Sequence, residues 1–241
     1  MEKLNGDYMD QYGQLREYCE ELVRSNPGST IKIDVEPGSN PSSSTRQFRR
    51  IYVCYGALKK GFNLIGRDLI GLNGAFMKGP YPGQILSAIG VDGKNGIYPL
   101  AFAIVEAETI NTWTWFFNIL GDDLELPTRC NFTFISDRQK GLLPAMAKIF
   151  PIAEHRYCLR HIHENMKKIW RGDVYKNLLW RCASATSMPY YERAMEDIKA
   201  IDRKLYDWVK EILTTAWSRA HFPGRAKCDM LLNNICEVFN K

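Results

Sequence analysis

Residues 69–105 read LIGLNGAFMKGPYPGQILSAIGVDGKNGIYPLAFAIV and hold three apolar runs rich in β-branched residues. The runs are Leu69–Phe76, Gln84–Val91 and Ile97–Val105. Connectors rich in Gly, Pro, Asn and Asp separate them at residues 79–83 and 92–96. Apolar runs joined by short turns of this kind are typical of β-hairpins. The pattern therefore predicts an antiparallel meander of three strands.

The chain after the meander alternates between helical and strand patterns. We predict a helix over 111–124 with Thr112 as its cap, and then a buried strand over 131–136 that ends at Asp137. A helix over 139–150, a strand over 155–158 and a helix over 159–170 are predicted to follow. An antiparallel meander followed by strand–helix–strand–helix indicates an α/β fold with a mixed sheet.

The regions on either side of this core have their own patterns. Before it, we predict a helix over 2–24 that ends in the turn residues 26–29, strands over 31–35 and 48–55, and a short helix over 57–60. Residues 37–45, PGSNPSSST, are predicted to be a solvated loop. Residues 173–220 are predicted to be mostly helical, with bulk from Trp180, Trp208 and Trp217, and a last helix contains Glu237.

The overall composition is that of a globular protein, with 45% hydrophobic and 24% charged residues. The net charge of +5 is compatible with an anionic partner but does not require one. The seven cysteines are scattered, and none forms a CxxC pair. The chain starts without an apolar signal core, and no apolar run approaches the roughly 20 residues of a membrane span. We therefore expect a reducing, intracellular location and no membrane partner.

Two acids are candidates for phosphoryl-transfer chemistry, which requires carboxylates that converge on two metal ions. Asp137 suits such a site, because the carboxyl ends of buried strands border the crevice where open α/β sheets bind ligands. Asp137 or Ser136 is equally well interpreted as the cap of the helix over 139–150. Glu237, taken alone, is more typical of a surface glutamate.

Short motifs along the chain resemble those of the Mutator-like element (MULE) transposases of the plant MuDR type. They include IGLNG at 70–74, GVDGKN at 90–95, YPLA at 98–101, EAE at 106–108 and WTWF at 113–116. The most specific are SDRQKGL at 136–142, EHR at 154–156, CLRH at 158–161 and NNICE at 233–237. Because these motifs keep one order over nearly the whole chain, chance similarity is a poor explanation for them.

The resemblance implies a ribonuclease-H-like α/β fold, with a mixed sheet, flanking helices and an all-helical insertion. It also implies an Asp–Asp–Glu (DDE) site that binds Mg²⁺ or Mn²⁺ and performs cut-and-paste transposition on transposon-end DNA in the nucleus. By motif, the second Asp is Asp137, the Glu is Glu237, and the place of the first Asp is taken by Asn73. The expected division is a lead-in over 1–66, the core over 67–172, the insertion over 173–230 and the start of the last core helix over 231–241.

Asn73 changes the activity that we expect. A carboxylate offers a full negative charge to two cations, whereas an amide offers one neutral oxygen and two N–H donors. Asp92 lies in a turn and Glu106 and Glu108 close a strand, so none of them is a convincing replacement. We expect a DNA-processing domain with impaired catalysis. The alternatives are an active nuclease with a substitute ligand, and a host-recruited module that binds DNA or proteins in transcription.

Two further sets of residues lie near the acids in the sequence. Cys158 and His161 form a CxxH pair that accompanies the core in the family, but a closed zinc site needs four ligands and no partner pair appears at finger spacing. Zinc therefore stays one alternative beside packing. The basic residues suited to phosphate contacts are Arg138, Lys140, Arg156, Arg160, Lys167, Lys168 and Arg171. A solvated helix face explains them nearly as well.

No base-reading module is recognisable in the sequence, although relatives often carry one outside the core. We expect the chain to be a fragment of a longer protein or the product of a decayed gene. A homo-oligomer is compatible with the family.

Overall fold

The computed structural model describes residues 8–37, 46–78, 81–126, 132–224, 226 and 228–239. Its strands are β1 (Thr30–Pro37), β2 (Arg46–Cys54), β3 (Gly66–Phe76), β4 (Gln84–Asp92), β5 (Ile97–Val105), β6 (Thr133–Ser136) and β7 (Glu154–Tyr157). They form one seven-stranded sheet in the order β1-β2-β5-β4-β3-β6-β7. The predicted loop over 37–45 lies, after Pro37, outside the described residues.

The predicted meander is confirmed, since β3, β4 and β5 pair antiparallel with their neighbours. At its β5 edge, β2 adds antiparallel and brings β1 with it. At its β3 edge, β6 pairs parallel with β3, and β7 pairs parallel with β6. The sheet is therefore mixed, as the alternation of strands and helices predicted.

Ten α-helices are described. They are α1 (Tyr8–Gly13), α2 (Leu15–Ser25), α3 (Gly56–Ile65), α4 (Ile110–Leu124), α5 (Leu142–Ile149), α6 (Leu159–Met166), α7 (Asp173–Ser184), α8 (Met188–Ile201), α9 (Arg203–Lys210) and α10 (Asn234–Phe239). The first predicted helix is thus two helices in its described part. The break follows Gly13, whose conformational freedom disfavours helix.

Strand alternation divides the apolar side chains between the two faces of the sheet. On one face, Ile70 and Leu72 of β3 pack in a large cluster with Trp113, Phe116 and other residues of α4 and α5. On the opposite face, Leu69 of β3 packs in a smaller cluster with residues of α10. The strand that carries Asn73 is therefore covered by helices on both sides.

The start of α4 differs from the prediction. Thr109, and not Thr112, is the N-cap: its hydroxyl accepts a hydrogen bond from the Thr112 N–H, 3.2 Å away. The Thr112 hydroxyl in turn accepts from the Thr109 N–H at 2.9 Å, which completes a capping box. The prediction chose the wrong member of a reciprocal pair, because both threonines stand at the start of the same apolar pattern.

Helices α6 to α9 form a separate apolar cluster around the fully buried Trp217, with Trp180 and Trp208 packed at its margin. The prediction of a mostly helical stretch with tryptophan bulk is confirmed over the described part of 173–220. Two 3₁₀ turns, Thr214–Ala216 and Arg219–His221, follow α9. The chain then returns to the sheet, where α10 lies against β3.

Candidate active site

Asn73 and Asp137 lie on neighbouring parallel strands. The register of β3 and β6 pairs Leu69 with Thr133 and Gly71 with Ile135. The recorded pairing ends at Gly71 and Ile135, two residues before Asn73 on β3 and two before Asp137, which follows β6. Asn73 and Asp137 therefore come the same number of residues after the last pair, at the same end of neighbouring strands.

The face of β3 to which Gly71 belongs is covered by α10. A Cβ added to Gly71 would lie 2.4 Å from Asn233 Oδ1 and 2.9 Å from Cys236 Sγ. Asn73 shares the face of Gly71 because the two are separated by one residue. Glu237 follows Cys236 in α10, but its side chain is outside the described part of the structure.

The loop after β6 is held by Gln139. The backbone N–H of Gln139 donates to Asp137 Oδ1 at 3.2 Å. The Gln139 side-chain oxygen accepts from the N–H groups of Gly141 (2.5 Å) and Leu142 (2.8 Å) at the start of α5. The capping role that the sequence offered to Asp137 or Ser136 is thus performed by Gln139, and the Asp137 carboxylate keeps acceptor capacity.

Glu108, which was predicted to lie at the end of a strand, lies close enough to Asp137 for their charges to interact. Its carboxylate packs against Gly74, where an added Cβ would lie 2.6 Å from Glu108 Cδ, and it accepts a hydrogen bond from Trp113 Nε1 at 3.1 Å. Burial raises the pKa of Glu108, the Trp113 N–H lowers it in part, and the charge on Asp137 raises it again. Gly74 and Asn73 point to opposite faces, so Glu108 lies on the α4 side of β3.

Ser136 links β6 to the edge strand. Its hydroxyl donates to the Asp137 carbonyl at 2.6 Å and lies 2.8 Å from His155 Nε2 in β7. Since the hydroxyl hydrogen is committed to the carbonyl, His155 Nε2–H is the donor in the second bond. Burial lowers the pKa of His155 to about 4, which keeps the imidazole neutral.

The CxxH pair lies at the start of α6, where Cys158 is buried and His161 is half-buried. Cys158 is fully buried, and its Sγ accepts the backbone N–H of Asn233 at 3.2 Å. Burial raises the pKa of the Cys158 thiol, but the hydrogen bonds from His161 and from the Asn233 N–H outweigh burial and lower it. Among the residues that the structure describes, no three His, Cys, Asp or Glu side chains converge as metal ligands, so zinc gains no support.

One residue that was predicted to contact phosphate, Arg156, does not lie at the surface. Arg156 is fully buried, pairs with Glu154 at 2.7 Å and donates to the Cys228 carbonyl at 2.6 Å. Its guanidinium also stacks on Phe222, 3.9 Å from the ring centroid. Arg156 is therefore a structural residue and not a surface cation. Its position in a short strand between polar neighbours gave no sign of this.

The other predicted cations form two groups, with Arg160 separate from both. Arg138 and Lys140 flank Asp137 in the loop after β6, and Lys140 is exposed. Lys167, Lys168 and Arg171 lie with other basic residues along a cleft of about 490 Å³ between α6 and α7. The exposed Arg160 lies on α6.

The cleft also contains a cation that the sequence did not single out, Lys176. Lys176 and His163 line the cleft, and both contact Trp180, with the imidazole and indole rings 5.2 Å apart and Lys176 Nζ 5.8 Å from the indole centroid. No signal for this grouping is present in the sequence, because residues of α6 and α7 become neighbours only in the folded chain.

Within the described residues, no helix is long and apolar enough to cross a bilayer.

Comparison with known families finds a similarity over part of the chain. Residues 69–165 match the family model of the MULE transposase domain. The matched range begins in β3, ends in α6, and contains Asn73, Asp137 and the CxxH pair. A search of curated proteins gives no match to the chain.

Proposed function

We propose that this chain, which carries a MULE transposase domain over residues 69–165, is a transposase-derived DNA-processing domain that has lost most two-metal strand cleavage. The proposed site is the DDE arrangement of the family, with Asp137 and Glu237 as its second and third acids and Asn73 in place of the first. Its proposed partners are nuclear DNA and a second copy of the chain.

A single observation supports the proposal: Asn73 and Asp137 each come two residues after the last pair, Gly71 and Ile135, of the neighbouring parallel strands β3 and β6. We propose that the arrangement of the family's site is retained while the chemistry of one ligand is changed. In a two-metal site the first carboxylate neutralises charge on both cations, and the metals supply nearly all of the catalysis. A neutral amide at that place weakens and misplaces metal binding.

The family's metals do not fit the side chains that are described. Asn73 and Asp137 come at the same end of neighbouring strands, and Glu108 lies on the α4 side of β3. One carboxylate, one amide and a half-buried acid behind the strand fall short of the oxygen-rich cage that two divalent cations need. We therefore derive no metal-dependent step for the chain as written.

The proposed fold is ribonuclease-H-like. The antiparallel meander β3–β4–β5, followed by α4, β6, α5 and β7 with parallel pairing, supports it. We propose that residues 67–172 are the core, that 173–230 are a helical insertion that packs on α6, and that 231–241 return to the core. Residues 1–66 would add β1 and β2 at the edge.

The first test is calorimetric titration of Mn²⁺ into the chain and into Asn73→Asp. We expect the variant to bind Mn²⁺ roughly 10- to 100-fold more tightly, because the restored carboxylate adds charge to the ligand set. Asn63→Asp, which adds the same charge on the exposed face of α3, is the matched control and should bind like the original chain. Asn73→Asp combined with Asp137→Asn should lose the gain.

The titration has two outcomes against the proposal. Equal, tight binding by the original chain and by Asn73→Asp would mean that another residue replaces the first acid and that catalysis is retained. Absence of binding in both would mean that Asp137 and Glu237 do not form the site. Cleavage of DNA with Mn²⁺ by the original chain would also contradict the proposal.

A second candidate function is DNA binding without catalysis, as a host-recruited module in transcription. The basic cleft between α6 and α7 favours it, because phosphate contacts from Lys and Arg give affinity without metal ions. Replacing Lys168, Arg171 and Lys176 together by Gln should lower the slope of log affinity for duplex DNA against log salt by about 2 to 3, near 0.9 per lost phosphate contact. Lys204→Gln on α9 is the control, and an unchanged slope in the triple variant would exclude the cleft.

A further inference from the structure

The segment that leads into α10 is attached to β7 and α6 at three successive points. Arg156 donates to the Cys228 carbonyl at 2.6 Å, and the Leu159 N–H donates to the Leu231 carbonyl at 2.8 Å. The third point is the Asn233 N–H, which donates to Cys158 Sγ. The chain between the helical cluster and α10 is thus guided along the strand next to β6.

Asn233 connects this attachment to the strand that carries Asn73. Its side chain is 1% exposed, and its Nδ2 donates to the carbonyl of Leu72 at 2.8 Å. Its Oδ1 lies over Gly71, in the space that any larger residue would fill. That oxygen has no hydrogen-bond partner within the described structure, so the bond from Nδ2 to Leu72 is what fixes the Asn233 side chain, while its backbone N–H is fixed by Cys158.

Cys158 is the opposite end of the same connection. Its backbone N–H donates to the Ser136 carbonyl at 2.8 Å, next to Asp137. Its sulfur faces Asn233, one residue before α10 begins. One pair of residues therefore touches the strand of the first-acid position, the end of the second-acid strand and the start of the helix that carries Glu237.

We propose that Cys158 and Asn233 are positioning residues that dock α10 against β3, and that the CxxH pair acts as a clamp in this docking and not as a zinc site. This inference rests on the proposed function, because docking matters for the site only if Glu237 is its third acid. In this clamp the backbone N–H of Asn233 donates to the sulfur of Cys158. In the part of the chain that the structure describes, no third His, Cys, Asp or Glu side chain joins Cys158 and His161 as a possible metal ligand, which argues against a zinc site.

Cys236 offers a local reporter of docking. It is fully buried in α10 against Gly71, so undocking of α10 exposes its thiol. Cys54 is a fully buried residue of β2 that packs on the α4 side of the sheet, and it reports global unfolding in the same sample. Alkylation by iodoacetamide in the native full-length chain, followed by peptide mass spectrometry, measures both rates at once.

The variants separate the hydrogen bonds from general packing. We expect Asn233→Ala and Cys158→Ala to accelerate labelling of Cys236 by about five- to tenfold, the effect of one lost buried hydrogen bond, with Cys54 unchanged. Cys158→Ser, which keeps an acceptor, should label close to the original rate. The double variant should label faster than either single one, because Cys158→Ala removes the acceptor of the Asn233 backbone N–H and Asn233→Ala removes the side-chain bond to the Leu72 carbonyl.

The control is Ser218→Ala, which removes a buried hydrogen bond to the Cys182 carbonyl in the helical cluster. It should leave Cys236 labelling unchanged. The clamp is overturned if Cys158→Ser labels as fast as Cys158→Ala, if Cys54 accelerates in parallel with Cys236, or if the original chain binds zinc through Cys158. Should Cys158→Ala fail to fold, Asn233→Ala gives the same comparison alone.

A second measurement separates this inference from the proposed function. In the Asn73→Asp background, Asn233→Ala should weaken Mn²⁺ binding by about tenfold, through a displaced α10. Faster Cys236 labelling without any Mn²⁺ binding in that background would support the clamp and reject Glu237 as third acid. Unchanged Mn²⁺ affinity in a chain that does bind Mn²⁺ would reject the clamp's role at the site and leave the proposed function in place.

Discussion

Gly74 sets the position of Glu108, and its substitution tests how firmly that acid is held. In Gly74→Ala the new Cβ would lie 2.6 Å from the Glu108 carboxylate, so the acid must swing away. Trp113 is fully buried and its Nε1–H would then lose its acceptor. We expect the free energy of unfolding to fall by about 1–3 kcal/mol, the cost of an unsatisfied buried donor. Urea denaturation measures it.

A double-mutant cycle identifies the cause of that loss. If displacement of Glu108 is responsible, Gly74→Ala should cost much less in a Glu108→Ala background, where the carboxylate is already absent. Additive losses in the two single variants would instead locate the strain in the backbone of β3. The removal of Glu108 should weaken Mn²⁺ binding by Asn73→Asp only slightly, because Glu108 lies on the other face of that strand and acts on Asp137 through its charge alone.

Secondary-structure elements were predictable where one local pattern determined them. The meander β3–β4–β5 follows from alternating apolar runs and turn residues that lie within 40 residues of one another. The sequence predicted a mixed sheet but not that β6 pairs with β3, since nothing in the sequence of either strand indicates its partner. The cap of α4 was missed because Thr109 and Thr112 satisfy each other, and either sequence position fits a cap.

The candidate site was predictable to a different extent. Asn73, Asp137 and Glu237 came from motifs, and the structure has the first two at the same end of the neighbouring strands β3 and β6, while the Glu237 side chain lies outside the described residues. The burial of Arg156 could not be foreseen, because its partner Cys228 and the ring of Phe222 lie more than 60 residues along the chain. Long-range contacts of this kind also hide the role of Asn233.

At the scale of the whole molecule, His155 lies where the sheet meets the helical cluster. Its ring packs edge-on against Tyr157, 5.1 Å away, and Tyr157 borders the cluster of α6 to α9. Ser136 ties the same imidazole to β6. A charge on His155 would therefore disturb its contacts with both the sheet and the helical cluster. We expect the free energy of unfolding of the whole chain to depend on the titration of His155.

The direction of that dependence follows from the lowered pKa of His155, about 4 in the folded chain against an ordinary 6.5. Above pH 6.5 the imidazole is neutral in both the folded and the unfolded chain, so its titration takes nothing from the free energy of unfolding there. Below that value the unfolded chain takes up a proton that the folded chain excludes. Stability should fall toward pH 4 by on the order of 2 kcal/mol, which is less than the full shift implies because the side chain is only partly shielded from solvent.

Urea denaturation between pH 4.5 and 7.5 measures this loss, and His155→Gln isolates it. Glutamine can still donate to the Ser136 hydroxyl but does not titrate, so the variant should lose less stability than the original chain as the pH falls. His221→Gln is the control: burial lowers the pKa of His221 as well, so its removal should flatten the profile, but to a smaller extent because His221 is less deeply buried. If His155→Gln keeps the original slope while His221→Gln flattens it, the acid sensitivity of the fold originates in the helical cluster and not at its junction with the sheet.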